Sequence, residues 1–292
     1  MTSPQMSEPN RPTAPAGAGA PFDERALASA VALLASGQES PQDAAILTDE
    51  ELIALDGILT PQFAETPFLQ SHAPDEQTRA MLARTAMRSL MVRRVVVSEI
   101  EASEIEERPL ADENLLNVTI EPRTLGALVL RRSSRAVLVL EREVSEEIHR
   151  LYYYPHDSGI VLEEEVTADG VHVFTVMPDA SVAVRARHLV DQLSLAGEDG
   201  EPVVVAADQL ESHPELGPLL EDTRALTVAT LLLQENEDEP RRAVFHMTSQ
   251  QVLAGEEAGD GTVSIMEVST ATIEAVLTAL LEEAREGEEP TA

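Results

Sequence analysis

A length of 292 residues suits one large domain or two small ones, and 43% hydrophobic residues are enough to bury a core. The 53 acidic residues outnumber the 20 basic ones, giving a net charge of −33. Nucleic acids and anionic membranes are therefore poor partners unless a local basic patch overcomes the mean field. The charge serves solubility alone or attracts a basic partner. The absence of cysteine excludes disulfides, thiolate catalysis and cysteine-ligated metal sites.

Both ends of the chain are expected to be disordered tails. Residues 1–22 are rich in proline, alanine, glycine and serine, and residues 286–292 are short and polar, so neither stretch buries enough surface to order itself. The first stretch lacks the apolar segment of a secretory signal, and no apolar run approaches the roughly 20 residues of a membrane helix. We therefore expect a cytoplasmic protein.

Helices are predicted in the N-terminal part. Thr48 and Glu51 have the spacing of a capping box, and a second helix is expected from about Asp75 to Leu90, before the β-branched run "MVRRVVV". This order over residues 48–97 outlines a winged helix, so a DNA-binding regulator is an alternative function. In the other interpretation, which the whole-protein charge favours, the local arginines are a solvated face and partners for some of the acids. These arginines are Arg79, Arg84, Arg88, Arg93 and Arg94.

The second part of the chain is rich in predicted strands. The stretch "ALVLRRSSRAVLVLE" has two apolar runs around a polar turn, which predicts a β-hairpin with Arg131–Arg135 at its tip. Three further strands are separated by the turns "PHDSG" and "TADG", and a helix is expected to begin near Pro178. Arg131, Arg132 and Arg135 are either an ordinary charged turn or contacts for a protein partner.

An internal repeat organises this β-rich part. A shift of 91 residues places Leu125–Val190 on Leu216–Leu281 without a gap, with strand on strand, turn on turn and helix on helix. The pattern predicts an α+β fold with a quasi-two-fold internal duplication of mainly antiparallel strands closed by a helix, after an N-terminal helical segment. We place the two halves at residues 23–198 and 199–285.

All three tyrosines of the chain lie in the run "RLYYYPHDSG", which is predicted to be a strand that leads into a hairpin turn. Side chains alternate along a strand, so Tyr152 and Tyr154 share one face and Tyr153 points to the other. One face is expected to pack under a helix, and the other is available to a protein partner. The consecutive "HDS" residues are turn residues and lack the convergent geometry of a catalytic triad.

No catalytic, metal or cofactor motif is present in the sequence. It contains no glycine-rich phosphate loop, no G-x-S-x-G elbow and no H-E-x-x-H pair. His149 and His172 are expected to be structural residues of strands, and the run Glu163–Glu165 to be solvated charge at a strand edge. We therefore predict no catalytic, cofactor-binding or metal-binding residues, no cofactor, and a function other than catalysis. An enzyme whose site is assembled without a motif is a further alternative.

Four stretches together resemble the EspG family, the cytosolic chaperones of actinobacterial type VII (ESX) secretion. They are "LTDEELIALDGIL", "LLNVTIEPRTLGALVLRRSSRAVLVLEREVSEEIHRLYYY", "ADGVHVFTVMP" and "DGTVSIMEVSTATIEAVLTALL". The resemblance implies a quasi-two-fold α+β fold whose central sheet is flanked by helical bundles. It also implies that the protein keeps a helical PE–PPE type secretion substrate soluble, with no nucleic acid or membrane as partner. The residues expected to contact this substrate are Tyr152, Tyr154, Arg131, Arg132 and Arg135.

Overall fold

The computed structural model describes residues 22–98, 118–145, 147–233, 240–257 and 261–286. The helices of these residues are α1 (Glu24–Ser36), α2 (Asp49–Asp56), α3 (Pro67–His72), α4 (Glu76–Val92), α5 (Pro122–Ser133), α6 (Asp179–Val190), α7 (Leu216–Glu221) and α8 (Thr270–Glu286). The predicted α+β class is confirmed. Apart from Phe22 and Glu286, the two predicted tails lie outside the described residues.

Ten strands form one large antiparallel sheet, and two form a small one. The large sheet contains β1 (Gln42–Thr48), β4 (Ala136–Val144), β5 (Glu147–His156), β6 (Ile160–Val166), β7 (Val171–Pro178), β8 (Val203–Ala206), β9 (Ala225–Leu233), β10 (Arg241–Met247), β11 (Val252–Glu257) and β12 (Thr262–Glu267). The small sheet pairs β2 (Val96–Ser98) with β3 (Val118–Ile120).

The large sheet consists of two equivalent five-stranded halves. Its order is β1-β7-β6-β5-β4-β9-β10-β11-β12-β8, so each half is a four-stranded meander with one earlier strand at its outer edge. At the centre, β4 pairs antiparallel with β9, and Val139 lies opposite Thr230, 91 positions further along the chain. Each residue of this pair thus faces its own equivalent in the repeat. The internal duplication predicted from the sequence has the register that a two-fold axis through this pair requires.

Local signals explain the N-terminal helices. The predicted capping box of α2 is present, with the Thr48 hydroxyl accepting from the Glu51 amide and the Glu51 carboxylate accepting from the Thr48 amide. The helix ends at Gly57, whose φ of 101° favours glycine. The Asp75 side chain caps α4, and α4 leads into β2 as expected. The structure also contains α1 and β1, which no local pattern in the sequence had indicated.

The predicted β-hairpin with Arg131–Arg135 at its tip is wrong. The first apolar run belongs to α5, which begins with Pro122 at its first position and has its two N-terminal amides capped by the Glu121 carboxylate. A short apolar run fits a buried helix as well as a strand, and this one lacks the alternation of a half-buried strand. Residues 131–135 therefore connect a helix to β4, and they are not a hairpin tip.

Helices pack on both faces of the large sheet. On one face, α1 packs on α5 and α2 packs on α4, over a core that includes Tyr152 and Tyr154. On the other face, α6 packs on α8 over a core that includes Tyr153. Within the described ranges, no helix has the length and apolarity needed to cross a membrane. The proposed boundary at residue 198 falls in the connection between α6 and β8 and stays a prediction.

Candidate functional site

A cluster of ionised side chains lies inside the first core, between the sheet and α2. At its centre is Glu164 on β6, which is completely buried. Its Oε2 accepts hydrogen bonds from Arg131 Nε at 2.7 Å and from the Tyr154 hydroxyl at 2.5 Å, and its Oε1 lies 2.7 Å from His172 Nδ1. The predicted solvated edge at Glu163–Glu165 is therefore wrong for Glu164.

His172 on β7 lies between two carboxylates. Its Nε2 is 2.7 Å from Asp49 Oδ1, and its Nδ1 contacts Glu164, so both ring nitrogens donate when the imidazole is protonated. Asp49 also accepts from the Leu69 amide at 3.0 Å. The prediction that His172 is a satisfied structural residue is confirmed. Its two partners come from distant parts of the chain, the start of α2 and the middle of β6.

The cluster continues toward the end of α2. Arg131 Nη1 lies 3.6 Å from Asp56 Oδ2 and donates to Gln62 Oε1 at 2.5 Å, while Arg132 lies 2.5 Å from Asp56 Oδ1. We call Asp49, Asp56, Arg131, Arg132, Glu164 and His172 the charge cluster. With His172 protonated, its three carboxylates balance three cations, which makes the burial of so many charges tolerable.

The environment of each group explains how its protonation is perturbed. Burial alone would raise the pKa of Glu164, but the Arg131 charge and the His172 hydrogen bond outweigh it and lower that pKa to about 2. Burial alone would lower the pKa of His172, but its hydrogen bonds to Asp49 and Glu164 raise it. Burial and the neighbouring Glu164 charge raise the pKa of Tyr154 well above its usual value, so its hydroxyl stays protonated and donates.

The charge cluster fastens helices to the sheet. It joins both ends of α2 to β6, β7 and the C-terminal end of α5. The side chains of Asp49, Glu164 and His172 are 0% exposed, so no substrate reaches the histidine in this conformation. Gly170 packs against Asp49, and only glycine fits there. A Cβ would lie 2.8 Å from Asp49 Cγ, and the φ of 74° favours glycine. This geometry indicates a structural role, in which the charge cluster holds α2 and α5 against the sheet.

The residues expected to contact a partner are placed differently from the prediction. Tyr152 and Tyr154 share one face as predicted, but they are 3% and 0% exposed, because α1, α2 and α5 cover that face. The Tyr152 hydroxyl accepts from the Glu65 amide at 3.2 Å. Arg131 is buried in the charge cluster. Arg132 is partly exposed but paired with Asp56, and Arg135 is exposed and has an interaction of its own.

The predicted solvated edge is wrong for Glu163 too. Glu163 points to the opposite face from Glu164 and is 1% exposed, where its carboxylate pairs with Arg185 of α6. Burial lowers the pKa of His156 to about 4, and the neighbouring Asp157 opposes this shift. Among the described ranges, no group of three or more histidine, aspartate or glutamate side chains is placed to hold a metal ion.

An exposed stripe on α4 is the clearest candidate for a binding surface. From the sequence, its arginines indicated only a solvated or a DNA-binding face. The helix packs inward through Ala83, Ala86 and Leu90. The opposite side carries exposed residues at helical spacing, which we call the α4 stripe: Met81, Arg84, Thr85, Arg88, Met91 and Val92. At 3.6 residues per turn they fall within roughly one third of the helix circumference.

No protein-family model matches the chain, and no curated protein matches it. The resemblance to the EspG family therefore stays an expectation from the sequence, and the function is argued from the architecture and the surface.

Proposed function

We propose that the protein is a non-catalytic, cytoplasmic chaperone or adaptor of the EspG type, which binds a helical secretion substrate of a type VII (ESX) system. The observation that carries the proposal is the large sheet, in which two equivalent halves meet at β4 and β9 and helices pack on both faces. This is the architecture that the EspG resemblance implies. Because one fold supports many functions, a binding surface for the partner has to be identified as well.

The surface of the described residues supports a protein partner. Helices cover much of both sheet faces, so they form a large part of the surface on which a partner can dock. Large apolar side chains are exposed on α1 and α4, including Val31 at 66%, Met81 at 61% and Val92 at 85%. The groups of the charge cluster other than Arg132 are buried, and they hold α2 and α5 against the sheet.

Affinity capture tests the proposal. Tagged protein is isolated from the organism that makes it, and bound proteins are quantified by mass spectrometry against a tag-only control. We expect small helical-hairpin proteins in near-stoichiometric amounts. In a second arm, the recovered pair is expressed alone and together with the protein, and its soluble fraction should rise in the second case. Failure to recover any helical protein, or unchanged solubility of the recovered pair, would contradict the proposal.

A DNA-binding regulator is the second candidate, because two exposed arginines lie on a helix that is followed by a two-stranded sheet. Arg84 and Arg88 are exposed on α4, and β2 and β3 come next among the described elements. The net charge of −33 opposes this function, since affinity for DNA comes first from neutralising phosphates. Binding of duplex DNA that weakens steeply with salt, and that Arg84→Glu abolishes, would establish it.

A further inference from the structure

We propose that the α4 stripe is a docking surface for an acidic, amphipathic helical segment of a protein partner. The inference rests on the proposed function and specifies which surface of the protein carries it and what chemistry the partner presents there.

Two exposed arginines of the α4 stripe have no ion-pair partner in the described part of the chain. In the described part of the chain, most arginines have an acidic or carbonyl partner; Arg93, for example, lies 3.0 Å from Glu51 and Arg79 donates to the Ala73 carbonyl at 2.9 Å. No such partner is found for Arg84 or Arg88 among the described residues, although acids outnumber bases 53 to 20 in the whole chain. The two are four positions apart, so they repel each other on the helix surface.

The α4 stripe also exposes large apolar side chains beside the two arginines. Met81, Met91 and Val92 are 61%, 45% and 85% exposed and flank the two arginines on the same side of the helix. Methionine is flexible and polarisable, which suits a surface that adapts to a partner. Exposed apolar side chains do not bind phosphate. Specific DNA interfaces are more polar and more positively charged than protein–protein interfaces, so these side chains favour a protein partner.

The dimensions of the stripe indicate the shape of the occupant. From Met81 to Val92 the helix rises about 16 Å, at 1.5 Å per residue, which matches three turns of a partner helix. Arg84 and Arg88 lie about 6 Å apart along the axis. Carboxylates one turn apart on the partner can therefore pair with both, while its apolar positions contact the methionines. The overall negative charge does not prevent such contacts, because salt screens the interaction between exposed charges that lie more than about 8 Å apart at physiological ionic strength.

Site-specific cross-linking tests the inference. A photo-reactive p-benzoylphenylalanine replaces Met81 or Met91 in the full chain, and it replaces Val31 on α1 as the control position, which is also exposed. The protein is irradiated in the cells that make it, and the cross-linked segment is sequenced by mass spectrometry. We expect attachment from Met81 and Met91 to an acidic helical segment.

Charge reversal provides the quantitative arm. Arg84→Glu combined with Arg88→Glu should reduce the recovered partner at least tenfold, whereas Arg242→Glu should leave it unchanged. Arg242 is a matched control because it is exposed on β10 and has no ion pair within the described ranges. Thermal unfolding of both variants should match the wild type, since neither removes a contact of the fold.

The outcomes separate the two proposals. If a helical partner is recovered but is cross-linked only from Val31, or is retained by the doubly reversed variant, the docking inference is wrong and the chaperone proposal stands. Attachment to a basic or neutral segment also overturns the inference. If the wild type recovers no helical partner, the proposed function itself fails. Cross-links from Met81 or Met91 to DNA would overturn both and favour the regulator.

Discussion

Replacing Glu164 with glutamine should destabilise the fold more than any other single loss of charge in the charge cluster. Glu164→Gln keeps the side-chain size and removes the negative charge that Arg131 and His172 both face. The amide nitrogen of the new side chain is a donor placed where Arg131, Tyr154 and His172 all donate. At least one buried donor is then left without an acceptor.

The burial of the pair sets the size of this effect. The Glu164 side chain is 0% exposed and that of Arg131 is 3%, so solvent does not screen the interaction. Breaking a buried ion pair by removing one partner costs about 3–5 kcal/mol. Asp56 stays within 3.6 Å of Arg131 and offsets part of the loss, so we expect a decrease of about 3 kcal/mol in the free energy of unfolding. That is a large share of the roughly 5–15 kcal/mol that stabilises a typical protein.

Urea denaturation at neutral pH measures the loss, with Glu165→Gln as the matched control. Glu165 is the next residue of β6, is half-buried, and makes no ion pair with the described residues. Its replacement should cost about 0.5 kcal/mol or less. If the two variants lose the same stability, or if Glu164→Gln loses less than about 1 kcal/mol, the charge cluster does not hold the fold together as described.

Three further predictions concern the same fold. The pKa of His172 is raised in the folded state, so its stabilising contribution is complete below its ordinary pKa of 6.5 and is lost as the pH rises through the folded pKa. The stability difference between wild type and His172→Gln should therefore shrink on raising the pH, and a constant difference would contradict this. Tyr154→Phe removes a donor to a buried carboxylate and should cost about 2 kcal/mol in urea denaturation, whereas a neutral result would exclude that hydrogen bond. Gly126→Ala should cost about 1–3 kcal/mol, because the added Cβ would lie 2.7 Å from the Ser29 carbonyl oxygen of α1. An unchanged thermal midpoint for Gly126→Ala would show that α1 and α5 do not approach so closely.

Short-range and periodic signals in the sequence predicted much of the fold. Local patterns determine three of the elements, because their residues are close together in the sequence. These are the Thr48–Glu51 capping box, the helix after Asp75 and the strands around the tyrosine run. The 91-residue shift predicted that the two halves are equivalent, and Val139 lies opposite Thr230, its equivalent at that shift. The sequence alone did not predict that β4 and β9 would be the strands that join the halves.

The charge cluster could not be predicted, because its residues are far apart in the sequence and meet only in the folded protein. Glu163 and Glu164 lie on opposite faces of β6, as alternation along a strand requires. No local pattern indicates their partners, Arg185 and Arg131, which lie 22 and 33 positions away. Tyrosine alternation was also correct, yet the helices that bury Tyr154 come from other segments of the chain. A buried run of charge in a mid-sheet strand, next to strands of apolar residues, is the signal that could have indicated internal pairing.

Hydrogen exchange of the isolated complex shows directly whether the protein holds a helical partner through α4. The backbone amides of residues 81–92 are compared in the free protein and in the complex recovered by affinity capture, with those of α1 as the internal reference. We expect slower exchange in α4 on binding and no change in α1. Unchanged exchange across α4, with protection gained on another surface, would contradict it.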